Sequence, residues 1–165
     1  MHSVLKALNQ IVTDQVIEAY AIGGAIGASF YIAATQTEDV DAFVVLGAPA
    51  SGLVVLTPVY DALTSLGGVV EREYVRFGTW PLQILTDADP LLAEAIREAI
   101  SVDYDGVPTR VFRPEHLCAV ALQTGRSKDC LRVRMFLDQG TVEVDVLMVL
   151  LARFGLSEKM QNVPK

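Results

Sequence analysis

Asp39 and Asp41 stand two residues apart at the head of an apolar run, Val40, Ala42, Phe43, Val44, Val45 and Leu46. Read as a strand, the run alternates its side chains between two faces, so both carboxylates point the same way. The rise per strand residue puts their Cα atoms about 6.5–7 Å apart. A strand destined for burial should not begin with two unpaired charges. Two hard oxygen donors on one face can hold a magnesium ion that also grips a nucleotide's phosphates. The plain alternative is two solvated acids at a strand end. Upstream, after an uncharged run, stands the pair Gly23-Gly24.

Composition narrows the classes. A chain of 165 residues fits one domain, and an apolar share of 52% with 20% charged residues supports a real core. The net charge of −7, with a pI near 4.7, argues against extended DNA or RNA as the main partner. It leaves room for a small nucleotide bound through a metal. The longest uncharged stretch, Ala42 to Tyr60, is broken by Gly47, Pro49, Gly52 and Pro58, so no membrane span is expected. The start of the chain reads as an amphipathic helix and not as a signal peptide. Cys118 and Cys130 lack a Cys/His cluster and read as reduced thiols, which points to a cytoplasmic protein.

Periodicity orders the elements. Val4, Leu5, Leu8, Ile11, Val12 and Val16 predict a helix over about 3–17, followed by a short strand, Tyr20 to Ile22, and a small-residue helix from Ala25 to Ala34. A polar turn at Gln36-Thr37-Glu38 leads into the strand Asp39–Leu46, and Gly47 to Gly52 is a loop. Pro58 opens a helix to about Leu66. Val69 to Phe77 alternates as one strand, and Gly78-Thr79 turns it into a second, Trp80 to Leu85. Asp89-Pro90 caps a helix of about ten residues. Asp105-Gly106 joins a hairpin of Val102–Tyr104 and Val107–Phe112. Helices near 115–124, 127–139 and 142–154 follow, and the tail from Ser157 is expected to be loose. Glu143 and Asp145 alternate with valines, but Leu147, Leu150, Leu151 and Phe154 recur at helical spacing, so they belong to a helix face. The whole is an α/β (α+β) chain, a mixed sheet flanked by helices: a core over 1–113 and a helical C-terminal part over 114–165.

The order helix, strand, Gly-Gly, small-residue helix and Thr37-Glu38-Asp39-Val40-Asp41 strand resembles the nucleotidyltransferase superfamily, in its minimal and AbiEii-like branches. The later Glu115-His116-Leu117 helix, followed by Arg126-Ser127-Lys128-Asp129, resembles the helical region of such proteins. The likeness spans about residues 15–155. It implies a mixed sheet, a nucleoside triphosphate substrate and Mg²⁺ held by Asp39 and Asp41. Nucleotide contacts would come from Gly23, Gly24, Thr37, Gln83, Arg126 and Lys128, with a hydroxyl acceptor on a small molecule, an RNA end or a protein. The glycine pair would let backbone amides approach a triphosphate, although it also serves as a plain turn. Ser29 can reach a phosphate or simply be buried. Arg126, Lys128, Arg132 and Arg134 form the densest basic cluster; they can meet phosphates or line a solvated helix face.

Two departures bear on activity. Active members usually carry a third carboxylate on a neighbouring strand, where this chain has Gln83, with Glu71, Glu73 and Asp87 as possible substitutes. An amide cannot take a proton from an attacking hydroxyl. A lysine often found on the Glu-x-Leu helix is replaced by Ala121. The resemblance therefore allows an active Mg²⁺-dependent transferase. It also allows a degenerate binding or regulatory protein, for example a toxin–antitoxin component with a protein partner.

Overall fold

A computed structural model of the protein describes residues 1–33, 37, 39–47 and 55–164. The expected turn residues Gln36 and Glu38, the helix end at Ala34, the loop residues Pro49 and Gly52, and Lys165 lie outside the described residues. The elements run α1 (His2–Thr13), β1 (Ala19–Ile22), α2 (Gly24–Ala28), β2 (Val40–Val45), α3 (Thr57–Ser65), β3 (Val69–Glu71), β4 (Tyr74–Phe77), β5 (Trp80–Thr86), α4 (Pro90–Arg97), β6 (Ile100–Tyr104), β7 (Val107–Val111), α5 (Pro114–Thr124), α6 (Ser127–Asp138), α7 (Val144–Arg153) and a 3₁₀ turn, Ser157–Asn162.

Seven strands make one mixed sheet in the order β3-β4-β5-β2-β1-β7-β6. β2 sits at its centre, antiparallel to β1 and parallel to β5. The period-two rule sorts the side chains of β2. Val40, Ala42 and Val44 pack with α1 and α3, where Val4, Leu5, Leu8, Ile11, Val59 and Leu63 fill one core layer. Phe43 faces the other layer, with Leu91 and Ile96 of α4, Leu117 and Leu122 of α5, Phe136 of α6 and Leu147 of α7. Asp41 shares the parity of Phe43, so the strand that anchors both layers also turns its carboxylate to the side of α5 and α6, and Asp39 stands one residue before the strand.

The expected elements are present, with local corrections. Val69 to Phe77 is two strands and not one: Arg72 takes φ 58° and turns the chain back on itself as a hairpin. The small-residue helix stops at Ala28. The tail is less loose than expected, since Met160 and Val163 pack against the second core layer. Asp89 caps α4 as its position suggested, its Oδ1 accepting from the Leu92 amide at 3.0 Å. Gly125 ends α5 with φ 71°. Cys118 and Cys130 are buried free thiols, and burial pushes the Cys118 thiol up. No helix among the described residues is long and apolar enough to cross a membrane.

Candidate active site

The two sequence motifs meet through a backbone hydrogen bond. The Gly23 amide donates to the Asp41 carbonyl at 3.0 Å, continuing the β1–β2 ladder past Ile22↔Ala42. That bond commits Gly23's N–H to the sheet. The amides that open α2, at Gly24 and Ala25, have no intrahelical acceptor because they belong to the first turn. Both glycines are required sterically. A Cβ on Gly23 would come within 2.5 Å of the Phe43 ring, which packs on Phe112 with centroids 4.8 Å apart. Gly24 has φ +56°, and a Cβ there would overlap Oδ2 of Asp41. The Asp41 carboxylate thus lies directly against the start of α2.

Electrostatics mark the same point. Asp41 is half-buried, and its carboxyl is pushed up to about 6. Burial is the main cause and the neighbouring Asp39 adds to it, while Arg126, Arg132 and Lys128 pull the other way. Thr37 steadies Asp39: its hydroxyl donates to the Asp39 carbonyl at 3.0 Å and lies 3.4 Å from Oδ1. Two acids are therefore held together beside a set of cations from α6 and the residue before it.

The basic cluster divides. Arg134 pairs with Asp138 at 2.7 Å, away from the carboxylates. Arg126, Lys128 and Arg132 act on Asp41. The carboxylate of Asp129, 2% exposed, organises two of them: Arg126 Nε lies 2.5 Å from its Oδ2 and Arg132 Nη1 3.1 Å from its Oδ1. That pairing raises the Arg126 pKa further. Asp129, the acid that stands within the cluster in sequence, is what positions Arg126 and Arg132. Replacing it with asparagine keeps one acceptor and removes the charge. Asp129→Asn is therefore expected to cost about 1–2 kcal/mol, read as a lower urea midpoint with an unchanged slope.

Register settles which residue stands beside Asp41. β2 and β5 pair Asp41↔Gln83, and β4 continues the row with Tyr74↔Gln83. Cross-strand partners share a face, so Asp41, Gln83 and Tyr74 form one row. Glu71 ends that row three strands from Asp41, about 14 Å away at the usual spacing, and pairs with Arg76 at 2.8 Å. Asp87 lies four residues beyond Gln83 along the chain, about 13 Å on at strand rise. Glu73 sits in the β3–β4 turn. None of the three holds the register position that Gln83 holds beside Asp41. Tyr74 is a neighbour that sequence reasoning missed. Its phenol is raised by burial, then by Asp39, Glu73 and Asp41, and no periodicity signal could have placed it two strands from the acids.

The remaining expected residues are placed as follows. Ser29 closes α2 with its hydroxyl donating to the Ile26 carbonyl at 2.7 Å. Ala121 is buried in α5. His116 pairs with Glu94 at 3.2 Å behind α5. Among the described residues no group of three or more His, Cys, Asp or Glu side chains converges as a metal cage. A carboxylate pair with open positions suits Mg²⁺, which keeps waters and takes the rest of its shell from substrate phosphates.

No family model matches the chain, and no curated protein matches it in sequence. Solved structures do. The solution structure of the antibiotic-resistance factor ANT(2'')-Ia superimposes with a TM-score of 0.56 at 17% identity, over 93% of this chain and 91% of that one. ANT(2'')-Ia in complex with adenylyl-2''-tobramycin gives 0.56 at 17%, over 92% and 95%. An antigenic nucleotidyltransferase-like protein from Paracoccidioides brasiliensis gives 0.57 at 16%, over 98% and 92%. The TM-scores and the near-complete coverage in both directions lead to one conclusion: this chain shares the fold of these nucleotidyltransferase and nucleotidyltransferase-like structures.

Proposed function

We propose that the protein binds a nucleoside triphosphate with Mg²⁺ and transfers its nucleotidyl group to a hydroxyl acceptor, releasing pyrophosphate. The observation that carries this reading is the convergence of Asp39 and Asp41 on one face, against the α2 amides and opposite Arg126, Lys128 and Arg132. A Mg²⁺ ion held by the two carboxylates would neutralise charge on the triphosphate as the α-phosphorus is attacked. The amides of Gly24 and Ala25 would meet phosphate oxygens where no side chain intervenes. Arg126 and Lys128 would take up charge on the departing pyrophosphate, with Arg126 oriented by Asp129. A bond would form from the acceptor oxygen to the α-phosphorus as the bond to pyrophosphate breaks, with the hydroxyl proton released to solvent water because Gln83 cannot take it. The open row of Gln83 and Tyr74 beside the acids is where the acceptor would lie. ANT(2'')-Ia, with its adenylylated tobramycin, makes a small polyhydroxylated molecule the first acceptor class to test.

The second reading, a nucleotide-binding protein that has lost transfer, is favoured by Gln83. It holds the register position beside Asp41 and cannot accept the hydroxyl proton. One experiment separates the two. Thermal shift with each nucleoside triphosphate, with and without Mg²⁺, should show stabilisation of about 2.7 kcal/mol at 100 times Kd. Asp39→Asn should abolish it. Transfer by the wild type supports the enzyme. Binding without transfer, with transfer gained in Gln83→Asp, supports the degenerate site. Absence of any metal-dependent shift sinks both.

A further inference from the structure

Three cations act on Asp41, and they differ in how the fold holds them. Arg126 and Lys128, the two that the motif singles out, are exposed, Arg126 at 60% of its side chain. Arg132, which the motif does not include, is only 12% exposed. The core beneath it sets its place. Val133, the next residue, and Phe136 pack in the layer that holds Phe43, two residues beyond Asp41 on the same face of β2. Asp129 meets two guanidinium ions with one carboxylate, so the group of three keeps one positive charge in excess. Arg132 is also short of acceptors. Its Nη1 donates to Asp129 Oδ1 at 3.1 Å, and no other donor of its guanidinium has an acceptor among the described residues. Its Nε is enclosed without one. A guanidinium carries five N–H donors, and buried donors are ordinarily paired.

We propose that Arg132 grips the terminal phosphates of the nucleotide and contributes more to its affinity than Arg126 does. The inference rests on the nucleotide site proposed above. A Mg²⁺ ion would offset the two acids, which leaves the excess charge of the Asp129 group for the phosphate tail. Low exposure strengthens a charge-assisted bond from Arg132 to a phosphate oxygen, because little water competes for either partner. The planar fork, already fixed by Asp129, loses little freedom when the ligand arrives. Arg126 starts from a weaker position: its Nε is engaged by Asp129 at 2.5 Å, and solvent screens the rest of its charge. Arg132 also supplies from α6 a cation that α5, with the buried Ala121, does not.

The test titrates the full-length chain, with Mg²⁺, against a nucleoside triphosphate and against its monophosphate. Calorimetry is run at a temperature where circular dichroism shows each variant folded. Arg132→Gln should lower the preference for triphosphate over monophosphate by about tenfold or more, the worth of a hydrogen bond to a charged group. Arg126→Gln should lower it less. Arg134→Gln, whose parent pairs with Asp138 away from the site, should match the wild type. Should Arg132→Gln leave Asp129 too poorly paired to fold, Arg132→Lys keeps the charge but not the fork, and should still lose about threefold. Equal weakening of both nucleotides marks a structural role and overturns the proposal. So does a larger loss in Arg126→Gln, or a comparable one in Arg134→Gln, which would mark long-range charge alone. A wild type without Mg²⁺-dependent binding sinks this inference together with the nucleotide site. Binding that Asp39→Asn abolishes and Arg132→Gln leaves unchanged sinks this inference alone.

Discussion

Gly24→Ala is expected to leave a folded protein about 2 kcal/mol less stable and without metal-dependent nucleotide binding. Two costs add at this position. An alanine at φ +56° pays the left-handed strain of an L-residue, about 1–2 kcal/mol. Its Cβ also overlaps Oδ2 of Asp41, so the carboxylate must swing away or α2 must shift. Either movement separates the acid from the first-turn amides, and a misplacement of about 1 Å at a reacting centre costs on the order of a hundredfold in rate. Gly78→Ala is the control. That residue has φ +60° with nothing within 4 Å of a built Cβ, so it carries the strain without the collision. Melting curves should fall in both variants, by about 2–4 °C for each kcal/mol in a chain of this size. Only Gly24→Ala should lose the nucleotide-dependent shift. Retention of that shift would show that the close contact of Gly24 with Asp41 does not matter to binding.

The second large effect has opposite signs in stability and in function. Asp41→Asn should stabilise the metal-free protein above pH 6 and abolish Mg²⁺-dependent binding of nucleotide. In the fold the Asp41 carboxyl is raised to about 6 from an ordinary 3.8, by burial first and by Asp39 second. Between those values the folded state holds a proton that the unfolded chain has released, so wild-type stability falls as pH rises through the window and levels off above it. A shift of about two units corresponds to at most about 3 kcal/mol, and solvent around the half-buried group reduces it. Asparagine carries no such penalty. The two melting curves should therefore converge near pH 4 and separate toward pH 7. Magnesium should reverse the order, stabilising the wild type more as the pH rises and the carboxylate ionises, with weak binding below pH 6. Parallel pH profiles with and without Mg²⁺ would refute the assignment of Asp41 as a ligand.

Such a site is strained by design of its charges: two acids are drawn together and only partly offset by cations that Asp129 holds in place. On the proposed reading function and stability compete at Asp41, because the repulsion that weakens the fold is what a divalent cation would relieve.

How much of this was legible beforehand differs by residue. Alternation in Val40–Val45 was enough to fix the face of Asp41, and Asp39, one residue before the strand, stands near enough to help raise its carboxyl. Helical spacing in 144–153 correctly kept Glu143 and Asp145 out of a strand. The β3–β4 hairpin was misread although its two-residue turn shifts the alternation by one, setting Glu71 and Tyr74 on the same face. The charged triplet Glu71-Arg72-Glu73 was the local hint. Gln83 was assigned to the third-carboxylate position by resemblance, but its alignment with Asp41 follows from register between strands 42 residues apart in the chain. Tyr74 in the same row, the dual grip of Asp129 and the overlap between Gly24 and Asp41 left no trace in periodicity.

The sequence by itself determined the local elements and the direction in which each apolar face and acidic pair points, since these depend on neighbours within a few residues and on the fixed periods of helix and strand. Only the tertiary structure decided which elements meet. Strand order placed Gln83 and Tyr74 beside the acids, and the packing of α6 on α5 brought Arg126, Lys128 and Arg132 near enough to act on Asp41. The physical reason is that pairing across a sheet and between helices is set by global burial, which no local window of the chain contains.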